Sequence, residues 1–146
     1  MVKILNIYFL SIFFLIYSCT PLLRNKLYEE KSKIHTYDRE YHPNRSLKYE
    51  TMYKNGVLDG HVKSWDKGGK LISKVEYISG VLHGSWETYY ASGQLKHSAL
   101  YQNGKKNGIE VWYHENGIKQ SEVMYVDDIV QSETIRWDKE GRRIFE

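Results

Sequence analysis

The residues of this chain whose types can do chemistry are six histidines, one cysteine and eleven glycines. A metal site needs ligands that converge on one face. His61, His83, His97 and His114 instead fall at four different phases of a 24-residue repeat, and no HxH or HxxxH pair occurs. One cysteine leaves no Cys-based zinc set and no internal disulfide. No metal and no cofactor are therefore expected. Ser79 with His83, and Asp59 with His61, resemble fragments of a hydrolytic triad. Each lies beside a turn signal, without a third orienting group or a nucleophile elbow. The pairs Gly56/Gly60, Gly80/Gly84 and Gly104/Gly108 have the GxxxG spacing of packed membrane helices, but their surroundings are polar and strand-like. They are not phosphate loops, since no GxxxxGK[ST] occurs. No catalytic residue is expected, and the chain reads as a non-enzyme.

Cys19 has a different meaning. It ends the stretch "MVKILNIYFLSIFFLIYSCT", in which Lys3 is the positive n-region and residues 4–17 are broken only by Asn6 and Ser11. That is the pattern of a secretory signal. The segment "IYSC" resembles the lipobox of bacterial lipoproteins. The resemblance implies that residues 1–18 are removed and that the Cys19 sulfur receives a diacylglycerol. Acyl chains contribute about 0.8 kcal/mol per buried CH₂, enough together to hold a domain at a membrane. Two other readings stay open: an uncleaved signal-anchor over residues 4–23, or an ordinary signal peptide with an inert Cys19. Residues 19–35 are polar and charged and read as a tether. The expected location is the bacterial cell envelope, at the outer membrane or cell surface if the cell is Gram-negative.

The glycines belong to the rest of the chain. Counted from its tyrosine, each 24-residue unit repeats five phases. Position 1 is Tyr53, Tyr77, Tyr101 and Tyr125. Position 4 is Gly56, Gly80, Gly104 and then Asp128; position 8 is Gly60, Gly84, Gly108 and then Ser132. Position 13 is Trp65, Tyr89, Tyr113 and Trp137, and position 17 is Gly69, Gly93, Gly117 and Gly141. A partial unit, with Tyr41 and Leu47 in phase, precedes residue 53. The repeat domain is expected over residues 36–146, with its last unit as an end cap.

Two kinds of turn alternate. Asn55-Gly56, Ser79-Gly80 and Asn103-Gly104 form one set, and Gly68-Gly69, Ser92-Gly93 and Asn116-Gly117 the other. Such pairs between alternating apolar runs signal tight hairpins. The expected fold is all-β, an elongated single-layer antiparallel meander of hairpin repeats. Each unit advances the sheet by roughly 10 Å. If every turn is a two-residue loop, Gly60 faces Tyr77, Gly84 faces Tyr101 and Gly108 faces Tyr125. Each ring then covers bare glycine backbone. Alternation puts the position-1 tyrosines on one face with Val75, Ala99, Val123, Leu71 and Leu95. It puts the position-13 aromatics on the other with Ile72, Leu100, Val111, Ile118 and Met124.

At these residues the chain resembles the MORN repeat, and more closely its bacterial variant. The best-matching stretch is "HGSWETYYASGQLKHSALYQNGKKNG", and the resemblance runs from about Tyr41 to Glu146. It implies a scaffold or interaction module, with phospholipid binding in some relatives. Bacterial variant proteins are often named antitoxin components of toxin–antitoxin systems, which suits an exported chain poorly.

Net charge is +3, with basic and acidic residues interspersed. That is a solvated surface and not a nucleic-acid stripe. Trp86, Tyr90 and Trp112 break the repeat at their phases and are expected on the position-1 tyrosine face. Large rigid aromatics suit contact surfaces, so these three are the candidate binding residues. The expected function is a lipid-anchored, non-catalytic module that binds an unknown protein partner. The alternatives are an antitoxin or immunity-type protein and an envelope lipid- or glycan-binding protein.

Overall fold

The computed structural model describes residues 35–145, so Cys19 and the signal segment lie outside the described residues. Within them the chain forms one antiparallel sheet of twelve strands. The strands are β1 (His35–Tyr41), β2 (Leu47–Lys54), β3 (Val57–Trp65), β4 (Leu71–Ile78), β5 (Val81–Tyr89) and β6 (Leu95–Gln102). They continue as β7 (Lys105–Lys106), β8 (Gly108–Tyr113), β9 (Lys119–Val126), β10 (Ile129–Val130), β11 (Ile135–Trp137) and β12 (Arg143–Ile144). Neighbours in sequence are neighbours in the sheet, apart from the short β7 on β6 and β10 on β9, so the sheet is a meander. The repeat thus builds the all-β fold its turns and spacing predict.

The first set of turns forms as expected. Asn55 and Gly56 have φ of 54° and 77°, Ser79 and Gly80 50° and 81°, Asn103 and Gly104 52° and 83°. Two successive positive φ values define the two-residue hairpin turn whose twist matches the strands. Asp127 and Asp128 adopt it without glycine, at 49° and 70°.

The second set is not a two-residue loop. Asp66 N–H donates to the Lys70 carbonyl at 2.9 Å, and Gly69 N–H to the Asp66 carbonyl at 3.0 Å. This is a three-residue loop, a turn followed by a left-handed glycine. Asp66 selects it, because its Oδ1 accepts from Gly68 N–H at 2.8 Å and Lys70 N–H at 2.9 Å. A bulge beside the loop pairs Trp65 with Leu71 and then restores the register at Ser64 and Ser73. The same slip pairs Tyr89 with Leu95. Leu71 and Leu95 therefore pair with the position-13 aromatics, not with the tyrosine rows as alternation alone predicts.

Beyond the bulges the expected pairs are present: Gly60 with Tyr77, Gly84 with Tyr101, Gly108 with Tyr125. The space at the glycine Cβ is filled differently from the expectation. A Cβ on Gly84 would first meet Glu76 Oε2 at 2.5 Å, and on Gly60 the Met52 sulfur at 2.5 Å, before any tyrosine ring.

Successive units are tied at both turn edges. Gly80 N–H donates to the Leu58 carbonyl at 2.7 Å and Gly104 N–H to the Leu82 carbonyl at 2.8 Å. On the opposite edge His42 Nε2 donates to the Trp65 carbonyl at 2.9 Å, and His114 Nε2 to the Trp137 carbonyl at 2.9 Å. A single layer buries little: among the described residues, Ala99 at 0% and Val111 at 8% exposure are the buried hydrophobics. Stability is then close to a sum of neighbour contacts.

Candidate binding face

Strand pairing sets side chains in rows, since paired residues share a face. One row reads Val75, Trp86, Ala99. The next reads Thr88, His97, Trp112, Ser121. Tyr77, Tyr101 and Tyr125 occupy the same face, by the strand alternation that carries Trp86 and Trp112 there. This face therefore gathers both off-pattern tryptophans with the tyrosines, as expected. Trp86 is 38% and Trp112 40% exposed.

The indoles are held in place. The Trp86 ring centroid lies 5.8 Å from that of Tyr101. The Trp112 ring lies 4.2 Å from that of His97. His97 and Glu110 are 8% and 9% exposed, and His97 Nε2 is 2.8 Å from Glu110 Oε1. Lys106 Nζ donates to the same oxygen at 2.7 Å and stands 4.8 Å over the Tyr125 ring. Burial would push the Glu110 carboxyl up, but the hydrogen bonds from Lys106 and His97 outweigh it and hold it below the ordinary carboxylate range. For Lys106, burial opposes the charge, yet the Glu110 bond keeps the ammonium above its ordinary value. Both donors use Oε1, so Oε2 retains acceptor capacity.

Tyr90 does not join the tryptophans. It follows β5 in a turn, and its hydroxyl donates to the Tyr113 carbonyl at 2.6 Å. It does in its unit what His42 and His114 do in theirs. The position-13 aromatics take no part in the tryptophan rows: Tyr89 hydroxyl donates to Glu87 at 2.7 Å. Burial first, and then this bond, push the Tyr89 phenol up to about 12.

The triad-like pairs are occupied elsewhere. Asp59 Oδ2 accepts from the Ser79 backbone N–H at 3.1 Å, and the His61 ring nitrogen lies 3.3 Å from Glu50. Asp59, His61 and His83 line an open depression of about 350 Å³. Sequence reasoning missed the His97–Glu110–Lys106 cluster. The register places His97 opposite Trp112, but the bonds depend on rotamers that no letter pattern carries.

Residues 58–79, 82–103 and 106–127 match the family model described as the MORN repeat variant. No curated protein matches the chain. A solved structure with some likeness is that of a mutant S. aureus TarM in complex with fondaparinux, alpha-GlcNAc-glycerol and UDP. The identity is 15% and the TM-score 0.44, over 74% of this chain and 23% of that one.

Proposed function

We propose that this run of three MORN-variant repeats is a non-catalytic binding module, held at the cell envelope by a lipid on Cys19. The observation that carries the reading is the pair of half-exposed tryptophans on one face, Trp86 against the Tyr101 ring and Trp112 against the buried His97. Fixed aromatics bind with little entropy left to lose. The non-catalytic part is supported by Asp59 and His61, whose polar atoms serve a turn and Glu50. Tyr90 acts in this reading as a clamp between units, so the contact patch narrows to the two tryptophans.

The test is in-cell crosslinking of the full chain carrying Trp86→Ser and Trp112→Ser. The expected result is loss of the crosslinked partner with an unchanged β-sheet circular-dichroism spectrum. An unchanged partner would move the contact surface off this face. A growth-inhibiting polypeptide as the captured partner would favour the antitoxin or immunity reading. The anchor is tested by Cys19→Ala, which should abolish palmitate labelling and release the protein from membranes; retention without label would favour an uncleaved signal-anchor.

A further inference from the structure

We propose, resting on the binding-face reading above, that the ligand of this face is an uncharged saccharide chain lying across β5, β6 and β8. The first argument is charge. From β4 to β9, among the described residues, the charged side chains that strand pairing sets on the tryptophan face are Glu110 and Lys106, which neutralise each other at 2.7 Å; Lys96, at the β6 bulge, has its ammonium 5.7 Å over the Tyr90 ring. An anionic lipid headgroup or a nucleic acid would require surplus cations. Beside the indoles the Lys106 ammonium is already paired with Glu110, so this stretch suits a ligand without charge.

The second argument is the mixture of flat apolar and polar groups. A sugar ring has a C–H face, which can lie on an indole, and a rim of hydroxyls, which need donors and acceptors. The two indoles supply the platforms. Thr88 and Ser121 stand in the same row as Trp112, and Glu110 Oε2 is an acceptor beside it. A few fixed polar groups among aromatics are the usual makeup of a small-molecule site. A protein hot spot would instead want a dry apolar centre. Here the centre of the patch, between the tryptophans, holds the carboxylate of Glu110 and the imidazole of His97.

The third argument is length. Trp86 and Trp112 lie on strands separated by β6, and their partners there, Ala99 and His97, are two residues apart. Strand spacing and rise put their backbones about 12 Å apart. One sugar ring cannot reach both platforms, whereas a short chain can.

The experiment is a tryptophan-fluorescence titration of the full-length protein in detergent. The probes are cellotetraose, chitotetraose and maltotetraose, with a heparin tetrasaccharide and phosphatidylglycerol vesicles as anionic comparisons. The expected result is a saturable change with at least one neutral tetrasaccharide, equal at low and high salt. Trp86→Ala and Trp112→Ala should each weaken it about tenfold or more. Trp65→Phe, in the other aromatic ladder, should leave it unchanged. Should Trp112→Ala unfold the sheet through its lost packing on His97, Trp112→Phe keeps a ring there and should still weaken binding. No response to any neutral tetrasaccharide, or a salt-sensitive response to the anionic probes alone, would overturn the proposal. If the crosslinked partner nevertheless depends on Trp86 and Trp112, only the saccharide assignment falls; if it does not, the binding-face reading falls as well.

Discussion

The two faces of this sheet solve the same problem in different ways. Both are wet, because one layer has no inside. The face opposite the tryptophans is laced with ion pairs: Arg39 to Glu50 at 2.8 Å, Lys74 to Glu76 at 2.7 Å, Lys119 to Glu122 at 2.7 Å. The hydrogen bond from Arg39 is the chief reason the Glu50 carboxyl stays low. At Glu76 burial works the other way, and bonds from Lys74 and Ser85 outweigh it. Exposed pairs of this kind add little stability each but keep a sheet face hydrated. On the tryptophan face Asp38 and Glu40 of β1 lie at the sheet's far edge, while beside the indoles the Lys106–Glu110 pair is the ion pair and the large rings keep fixed positions. A surface that only had to stay in water would not need that order, and it is the ground for the proposal that this face binds.

The largest expected effect comes from joining the two faces at one residue. Gly84 pairs with Tyr101 in the tryptophan face's register, yet its missing Cβ leaves room for Glu76 of the ion-pair face. Its φ is 101°, where an L side chain is strained, and a Cβ would meet Glu76 Cβ at 3.1 Å as well as the carboxylate. Gly84→Val should cost about 2–4 kcal/mol, from backbone strain and overpacking together. Gly56→Ala is the comparison, with φ of 77° and nothing within 4 Å. It should cost only about 1 kcal/mol. Urea midpoints measure both, and equal losses would mean that the Glu76 contact does not matter.

Much of this was readable from letters, for a definite reason. Glycine and asparagine at positive φ fix where the chain reverses, and reversal fixes register, so Gly84 opposite Tyr101 follows from spacing. The assumed loop length was wrong at Gly69 because the Asp66 carboxylate draws the turn into a longer form. The register survived because the bulge at Trp65 and Leu71 absorbs the difference. The clamps were hidden for another reason. His42, Tyr90 and His114 share one phase of the repeat, but periodicity finds identical letters, and two residue types do one job there. Any side chain that can reach a carbonyl with a donor serves. The Glu110 cluster was hidden because a buried carboxylate and an exposed one are written alike.

The next largest effect compares the two faces directly. Glu110→Ala removes the acceptor shared by Lys106 and His97 and should cost about 2 kcal/mol. Lys74→Ala breaks a more exposed pair and should cost no more than about 0.5 kcal/mol. Similar losses would erase the distinction. Acid gives a second handle. Glu110 is held below its ordinary 4.5 in the folded state. Its stabilisation is therefore complete above that value and declines as pH falls through the folded-state value. Glu50 and Glu76 have the same direction. Urea midpoints should fall on acidification below about 4.5, and Glu110→Gln should flatten part of the fall. A Gln variant with the wild-type slope would assign the acid sensitivity to the other face.

The smallest effect separates support from contact. Tyr90→Phe keeps the ring and removes one hydroxyl, the donor to the Tyr113 carbonyl. One such bond contributes about 1 kcal/mol, and less where water can replace it. Thermal melting should therefore shift slightly. The tryptophan-dependent capture should not change, because the hydroxyl is already committed to the neighbouring unit. If instead Tyr90→Phe abolished capture without moving the melting curve, Tyr90 would belong to the contact surface. The boundary drawn between the clamped turn edge and the tryptophan face would then have to move to include it.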